Sequence, residues 1–184
     1  FINHERFNWR KFVYLLALRV IAHSEDTPLK EKVLIADDSI SAKTGKNIEL
    51  VSYHFDHKVG RSILGNCYMQ LGYHNGINFI PVDVALISSS NRPNSWLRAI
   101  DKRTCGWKRR NEALDKKTTA LLQMVDRAWH AGIDASFVLL PGNPIAGADM
   151  DILGVQGLIE NRLDGFRFRC SFGFIHIQRT KLPA

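Results

Sequence analysis

Val33-Leu34-Ile35-Ala36-Asp37-Asp38-Ser39 is the stretch on which the fold turns. Four consecutive apolar residues end abruptly at two carboxylates. A short apolar run bounded by polar residues marks a strand covered on both faces, as in the parallel part of an α/β sheet. Asp37 and Asp38 are then expected at the carboxyl end of that strand, where polar groups emerge at the edge of the sheet. Ser136-Phe137-Val138-Leu139-Leu140 is a second run of the same kind.

Between the two runs the pattern changes. Ile63, Cys67, Met69, Leu71 and Tyr73 alternate with Ser62, Asn66, Gln70 and His74, a period of two. Asn75-Gly76 is the preferred dipeptide of a type I′ hairpin. The return strand, Asn78 to Ser88, sets Ile80, Val82, Val84 and Leu86 on one face, with Asp83 opposite as an exposed carboxylate. Ile48 to His57 fits either a strand or irregular structure. From about Glu112 to Ala131 a helix is predicted, with Leu114, Leu121, Leu122, Val125, Ala128 and Trp129 as its buried stripe. Asn111 would be its N-cap and Gly132 its stop. Upstream, Asn8 to His23 forms a helix with Trp9, Phe12, Val13, Leu16, Val20 and Ile21 on one face, and the Pro28 region ends it. Helix, strand, hairpin, crossover helix and strand imply a mixed α/β sheet with a parallel pair. Gly147 to Ala184 shows no sustained helical or alternating period.

Composition sets the outer limits. Of 184 residues, 45% are hydrophobic and 23% charged, a globular balance that excludes wholesale disorder. The longest apolar stretch, Phe12 to Ala22, is interrupted by Arg19 and falls short of the roughly 20 residues of a membrane span. No small-residue cleavage site follows it, which argues against a secretory signal. Cys67, Cys105 and Cys170 are odd in number and widely spaced, so neither a disulfide framework nor a zinc pattern is expected. A reducing, intracellular setting fits that usage. The chain opens on Phe1 rather than Met, as a fragment would.

The net charge of +7 is unevenly spread. Arg98, Lys102, Arg103, Lys108, Arg109, Arg110, Lys116 and Lys117 face only Asp101, Glu112 and Asp115 in the same window. Trp96 and Trp107 are interleaved with them. Such a cluster suits a phosphate backbone, whose counterions it releases, and Arg98, Lys102, Arg103, Lys108, Arg109 and Arg110 are the DNA-binding candidates. A solvated loop is the plain alternative.

Candidate chemistry is sparse. Asp37-Asp38 could hold a hard cation such as Mg²⁺, which takes oxygen ligands and keeps water; otherwise it is a solvent-facing turn. In His54-Phe55-Asp56-His57, a strand would set His54 and Asp56 on one face and His57 on the other. That splits the cluster, and no Cys or further His completes a metal site. There is no glycine-rich phosphate loop and no local signature of a serine or cysteine nucleophile. His4, His23, His74, His130 and His176 show no ligand spacing.

From Asn8 to Leu140 the chain resembles the DDE transposases of bacterial insertion sequences, in the IS-four-like branch. The matching pieces are NWRKFVYLLALRVIAH, VLIADDS, VSYHFDHKVGRSILG and YMQLGYHNGINFIPVDVALISSS, then the basic linker and the helix before DASFVLL. The resemblance implies a ribonuclease H-like mixed sheet with flanking helices, here incomplete at its C-terminal side. It implies three acidic residues holding two divalent metals, Mg²⁺ or Mn²⁺, that cut and join DNA at transposon ends. Asp38, followed by Ser39, corresponds to the first catalytic and metal-binding acid, and Asp37 is a neighbour that tunes the field. Implied partners are transposon-end and target DNA, with room for self-association on DNA. A bacterial cytoplasmic, nucleoid-associated setting without a membrane follows.

The second acid of that branch should follow FVLL as Asp-Ser-Trp, but Pro141-Gly142 stands there. The third, a glutamate on a later helix, has no counterpart. Ser-Trp encoded TCC-TGG and read one base later gives Pro-Gly, so a frame shift near Leu140 is expected. On that account 1–30 is the end of an N-terminal helical region and 31–140 the first part of the catalytic domain. Residues 141–184 would be an aberrant, poorly ordered tail, and Asp149, Asp151 and Glu160 are not catalytic substitutes. The chain would then be an inactive fragment of a transposase. The alternatives are a non-catalytic basic DNA-binding or inhibitory fragment, and an unrelated metal-dependent phosphotransferase using Asp37-Asp38.

Overall fold

The computed structural model describes residues 4–24, 32–94 and 99–139, and two strands at 166–171 and 174–179. Helix α1 spans Trp9–His23, and the Asn8 side chain caps it by accepting from the Lys11 N–H at 3.0 Å. Its docked face is Tyr14, Ala17 and Ile21, whereas Phe12, Leu16 and Val20 are exposed. Of the predicted face, Ile21 is buried and Trp9 and Val13 are partly so, while Phe12, Leu16 and Val20 point outward, so the docked face is rotated from the predicted one. This helix is apolar on more than one side, so spacing alone cannot orient it. Arg10 and Tyr14 settle the matter, because both reach Asp83 in the sheet.

The sheet is mixed. Strand β1, Val33–Ala42, lies between antiparallel β3, Arg61–His74, and parallel β5, Phe137–Leu139. The predicted parallel pair is thus present. Strand β2, Ser52–Asp56, pairs with the first residues of β3, and β4, Phe79–Ile87, pairs with the rest. Gly65 faces Ala42 on one side and Ser52 on the other, so β2 and β4 share the β3 edge away from β1. Helix α2, Cys105–Glu112, and helix α3, Lys117–His130, follow β4. Leu34, Ala36, Met69, Leu71 and Tyr73 of the sheet join Tyr14, Ala17 and Ile21 of α1 and Leu121, Met124 and Val125 of α3 in one core. This mixed sheet with flanking helices is consistent with a ribonuclease H-like fold.

Four local expectations change. Strand β1 does not end at Asp37-Asp38 but continues to Ala42, because β3 pairs with it as far as Gly65. The hairpin connection is not a two-residue turn. His74 pairs with Phe79, and Asn75–Asn78 form a four-residue loop in which Asn75 Oδ1 accepts from the N–H groups of Ile77 and Asn78. Along β4 the register shifts opposite Leu71 and Gly72, giving a β-bulge. The bulge inverts the alternation, so Val84 is exposed and Asp83 is buried. Finally, the helix predicted from Glu112 starts only at Lys117, as α3, and a separate helix, α2, ends at Glu112. Asn111 lies inside α2, Lys116 is the N-cap of α3 without a side-chain hydrogen bond, and Leu114 is exposed between them. Gly132 does stop α3, at φ +90°.

The expectation for 141–184 lies outside the described residues except at two strands. Strand β6, Phe166–Ser171, pairs with β7, Phe174–Arg179, and β7 pairs antiparallel with β5. Phe166, Phe168 and Cys170 alternate with Arg167, Arg169 and Ser171, a period of two that the sequence reading passed over.

Candidate active site

Asp38 stands in the middle of β1, opposite Met69 of β3. The described pairing of β1 with β5 stops at Ile35–Leu139, so the carboxylates follow directly after the parallel contact. That is where ligand crevices open in α/β sheets. Successive strand residues face opposite ways. Asp38 therefore faces α3 with Leu34 and Ala36, while Asp37 faces away, its Oδ1 accepting from the Asp38 N–H at 2.8 Å.

Lys117, the first residue of α3, donates from Nζ to Asp38 Oδ2 at 2.7 Å. The two side chains remain 43% and 39% exposed, so the pair is open to solvent. Cys67, fully buried on β3, donates its S–H to the same oxygen at 3.6 Å. Burial alone would raise the Asp38 pKa, but the hydrogen bond and charge of Lys117 outweigh it and leave the carboxyl below its ordinary value. Burial pushes the Cys67 thiol up to about 11, so it stays protonated and unreactive at neutral pH.

His54 belongs to the same neighbourhood. It is buried on β2, and burial and Lys117 lower its pKa more than Asp38 raises it. Its Nε2 lies 2.7 Å from the Ser52 hydroxyl, which also accepts from the Ser89 N–H at 3.0 Å. His54 is thus held by hydrogen bonds. Asp56 accepts from the Lys58 N–H instead, and His57 lies beyond the strand. Among the described residues no group of three His, Cys, Asp or Glu side chains could hold a metal ion.

Asp38 by itself can offer a hard cation one carboxylate. Its oxygen already holds a cationic group at 2.7 Å, it is partly open to water, and magnesium is commonly held by one or two carboxylates with water and substrate phosphate. A second carboxylate facing it is not found among the described residues.

A model of a family described as DDE superfamily endonuclease matches residues 1–142, well over half of the chain. The chain belongs to the DDE superfamily endonucleases. No curated protein and no solved structure matches it. Membership implies a DNA substrate, and no helix among the described residues is long and apolar enough to cross a membrane.

In this member of the family the basic candidates divide. Lys102 and Lys108 are exposed, and so is Arg103, which pairs with Asp101 at 2.9 Å. Thr104 starts α2, its hydroxyl accepting from the Trp107 N–H at 3.2 Å. Within the helix Arg110 turns inward to Glu49 at 2.9 Å, and Arg109 is half-buried, its pKa lowered by burial and by Arg10 and Arg110. Arg98 and Trp96 lie outside the described residues. Arg110 is therefore committed to a structural ion pair, and the outward-facing charge is that of Lys102, Arg103 and Lys108.

Sequence reasoning missed the buried ionic cluster around Asp83. Its carboxylate, only 1% exposed, accepts from Arg10 Nε at 2.8 Å, Arg127 Nε at 2.9 Å and the Tyr14 hydroxyl at 3.0 Å. Glu112 bridges the same arginines at 2.8 and 2.6 Å. Burial and Asp83 push the Tyr14 phenol above its ordinary range. The cluster fastens α1, α2 and α3 to β4. The bulge hid it, since strict alternation placed Asp83 on the solvent face.

Proposed function

We propose that this chain derives from a DNA transposase of the insertion-sequence type, with Asp38 as the first catalytic and metal-binding acid and Asp37 as its neighbour. The observation carrying this reading is a half-exposed carboxylate on a central strand of a chain matched by the family through residue 142. Asp38 holds negative charge beside the start of α3, and Cys67 and Lys117 fix the carboxylate by hydrogen bonds. Completed by the second and third acids, the site would hold Mg²⁺ or Mn²⁺, which would supply activation of the attacking oxygen and stabilisation of the leaving one. Lys102, Arg103 and Lys108 would contact the phosphates of transposon-end and target DNA, on which copies could self-associate. The setting is the bacterial cytoplasm, at the nucleoid.

The chain as it stands is catalytically incomplete in this reading. Pro141-Gly142 replaces the expected Asp-Ser-Trp, and neither residue can ligate a cation through its side chain. The family match runs to residue 142, two residues past Leu140, and goes no further. The DNA sequence around codons 139 to 143 tests a frame shift after Leu140. An adjacent frame should restore Asp-Ser-Trp and, later, a glutamate; its absence from both other frames would reject the frame shift. The exposed Lys102, Arg103 and Lys108 do not depend on Asp38, and they favour a second reading, a non-catalytic DNA-binding or inhibitory fragment.

A further inference from the structure

The β2–β3 hairpin outruns the rest of the sheet. Pairing of β3 with β1 reaches only to Gly65 and pairing with β4 only to Cys67, so among the described strands Arg61 to Leu64 pair with β2 alone. Residues 53–64 are therefore a two-stranded ribbon that projects past the carboxyl end of β1. Arg61 lies eight residues before Met69, the partner of Asp38, which places the tip roughly 27 Å from that site at about 3.4 Å per residue. A lone ribbon is marginally stable, but Asp56 fixes this one. Its carbonyl accepts from the Val59 and Gly60 N–H groups at 3.2 and 2.8 Å, and its carboxylate from the Lys58 N–H at 2.8 Å. Gly60 closes the turn at φ +70°, a conformation that favours glycine.

The tip is apolar and basic together. Phe55 is 54% exposed and Val59 53%, and the Phe55 ring meets the exposed His57 edge-on at 5.0 Å. Lys58 and Arg61 are exposed, and neither makes an ion pair among the described residues. Asp56 is the only acid from 51 to 82.

We propose that this ribbon is a second DNA contact, its tip entering the major groove with Lys58 and Arg61 on the bordering phosphates and Phe55 and Val59 against thymine methyls. The inference rests on the reading of the chain as DNA-binding, and it adds a surface to that of Lys102, Arg103 and Lys108. The major groove admits a two-stranded ribbon, and apolar side chains such as Phe contact the thymine methyl there. Cations outside any ion pair reach phosphate without breaking one, and release its counterions. A turn already fixed loses little further freedom on binding. Basic residues on a hairpin can also serve only to keep its edge from pairing with another chain. That role needs charge alone and leaves two large apolar side chains in water without a use.

The test is fluorescence anisotropy of the 184-residue chain with a labelled A·T-rich duplex, and with the same duplex carrying uracil for thymine, across a salt series. The unaltered chain should prefer thymine by about fourfold for each methyl buried. Phe55→Ala should abolish that preference and keep the salt slope. Lys58→Ala and Arg61→Ala should keep the preference and lower the slope by about one each. Urea midpoints should not move, because all three side chains are exposed. If Lys102→Ala and Lys108→Ala lower the slope while the ribbon variants change neither slope nor preference, the ribbon is only a solubilised edge. The inference then fails with the DNA-binding reading intact. If the slope falls but thymine is not preferred, the tip touches phosphates alone and groove entry is wrong. If Phe55→Ala keeps the preference and instead alters self-association without DNA, the tip is an interface between copies and the inference fails. If the unaltered chain binds neither duplex at low salt, both readings fail.

Discussion

Asp83→Asn removes one charge from the most buried ionic cluster while keeping the shape of the side chain. Asp83 is 1% exposed on its side chain and accepts from Arg10, Arg127 and Tyr14 within 3.0 Å. The carboxamide has a single acceptor oxygen, and its NH₂ must point at a guanidinium or at the Tyr14 hydroxyl. Arg10 and Arg127 would be left sharing Glu112 alone. Breaking a fully buried ion pair costs about 3–5 kcal/mol. The arginines are 18% and 26% exposed, so water recovers part of the loss and the lower end applies. We expect about 3 kcal/mol for Asp83→Asn, and about 1–2 kcal/mol for Arg10→Met, which leaves Asp83 paired with Arg127. Urea unfolding, followed by tryptophan fluorescence and far-ultraviolet circular dichroism, measures both. Because α1 hangs on this cluster, Asp83→Asn should also speed tryptic cleavage at Arg10, Lys11 and Arg19. A loss below about 1 kcal/mol with unchanged proteolysis would refute the cluster as the fastening of α1.

Other outcomes follow from the same geometry. Lys102→Ala and Lys108→Ala should weaken duplex binding about equally for any sequence and lower the salt slope by about one each, as phosphate contacts do; fluorescence anisotropy across a salt series reads this, and a sequence-dependent loss would point to base contacts instead. Arg110→Ala should act mainly on stability, lowering the urea midpoint through the lost Glu49 pair with little change in the salt slope. Ser52→Ala should cost about 1–2 kcal/mol, because it strips a buried hydroxyl from His54 and from the Ser89 N–H. A proton chemical-shift titration of His54 would show whether the ring has lost its anchor.

Much of the architecture was legible in residues 33–39, 63–88 and 136–140. Continuous apolar runs predicted the two strands that do pair in parallel, and alternation predicted the hairpin arms. What escaped was the part governed by distant partners. The burial of Asp83 depends on Arg10 and Arg127, 73 and 44 residues away, and on a bulge that no local pattern announces. The orientation of α1 was lost for the same reason, since its apolar residues surround the axis and a polar anchor chooses the face. At the candidate site the sequence pointed to Asp38, but not to Lys117, which joins it across 79 residues. Conversely, the six-residue alternation of β6, Phe166 to Ser171, was plain in the sequence beside the turn-rich stretch before it.

Asp38 is proposed to belong to a transposase centre whose second acid is displaced into another frame. Its most direct test is cleavage of transposon-end DNA with Mg²⁺ or Mn²⁺ by three proteins. These are the chain as it stands, the frame-restored form with Asp following Leu140 and its downstream sequence, and that form carrying Asp38→Ala. Strand cleavage is expected from the restored form alone. Metal-dependent cleavage by the 184-residue chain itself, or cleavage that survives Asp38→Ala, would contradict it.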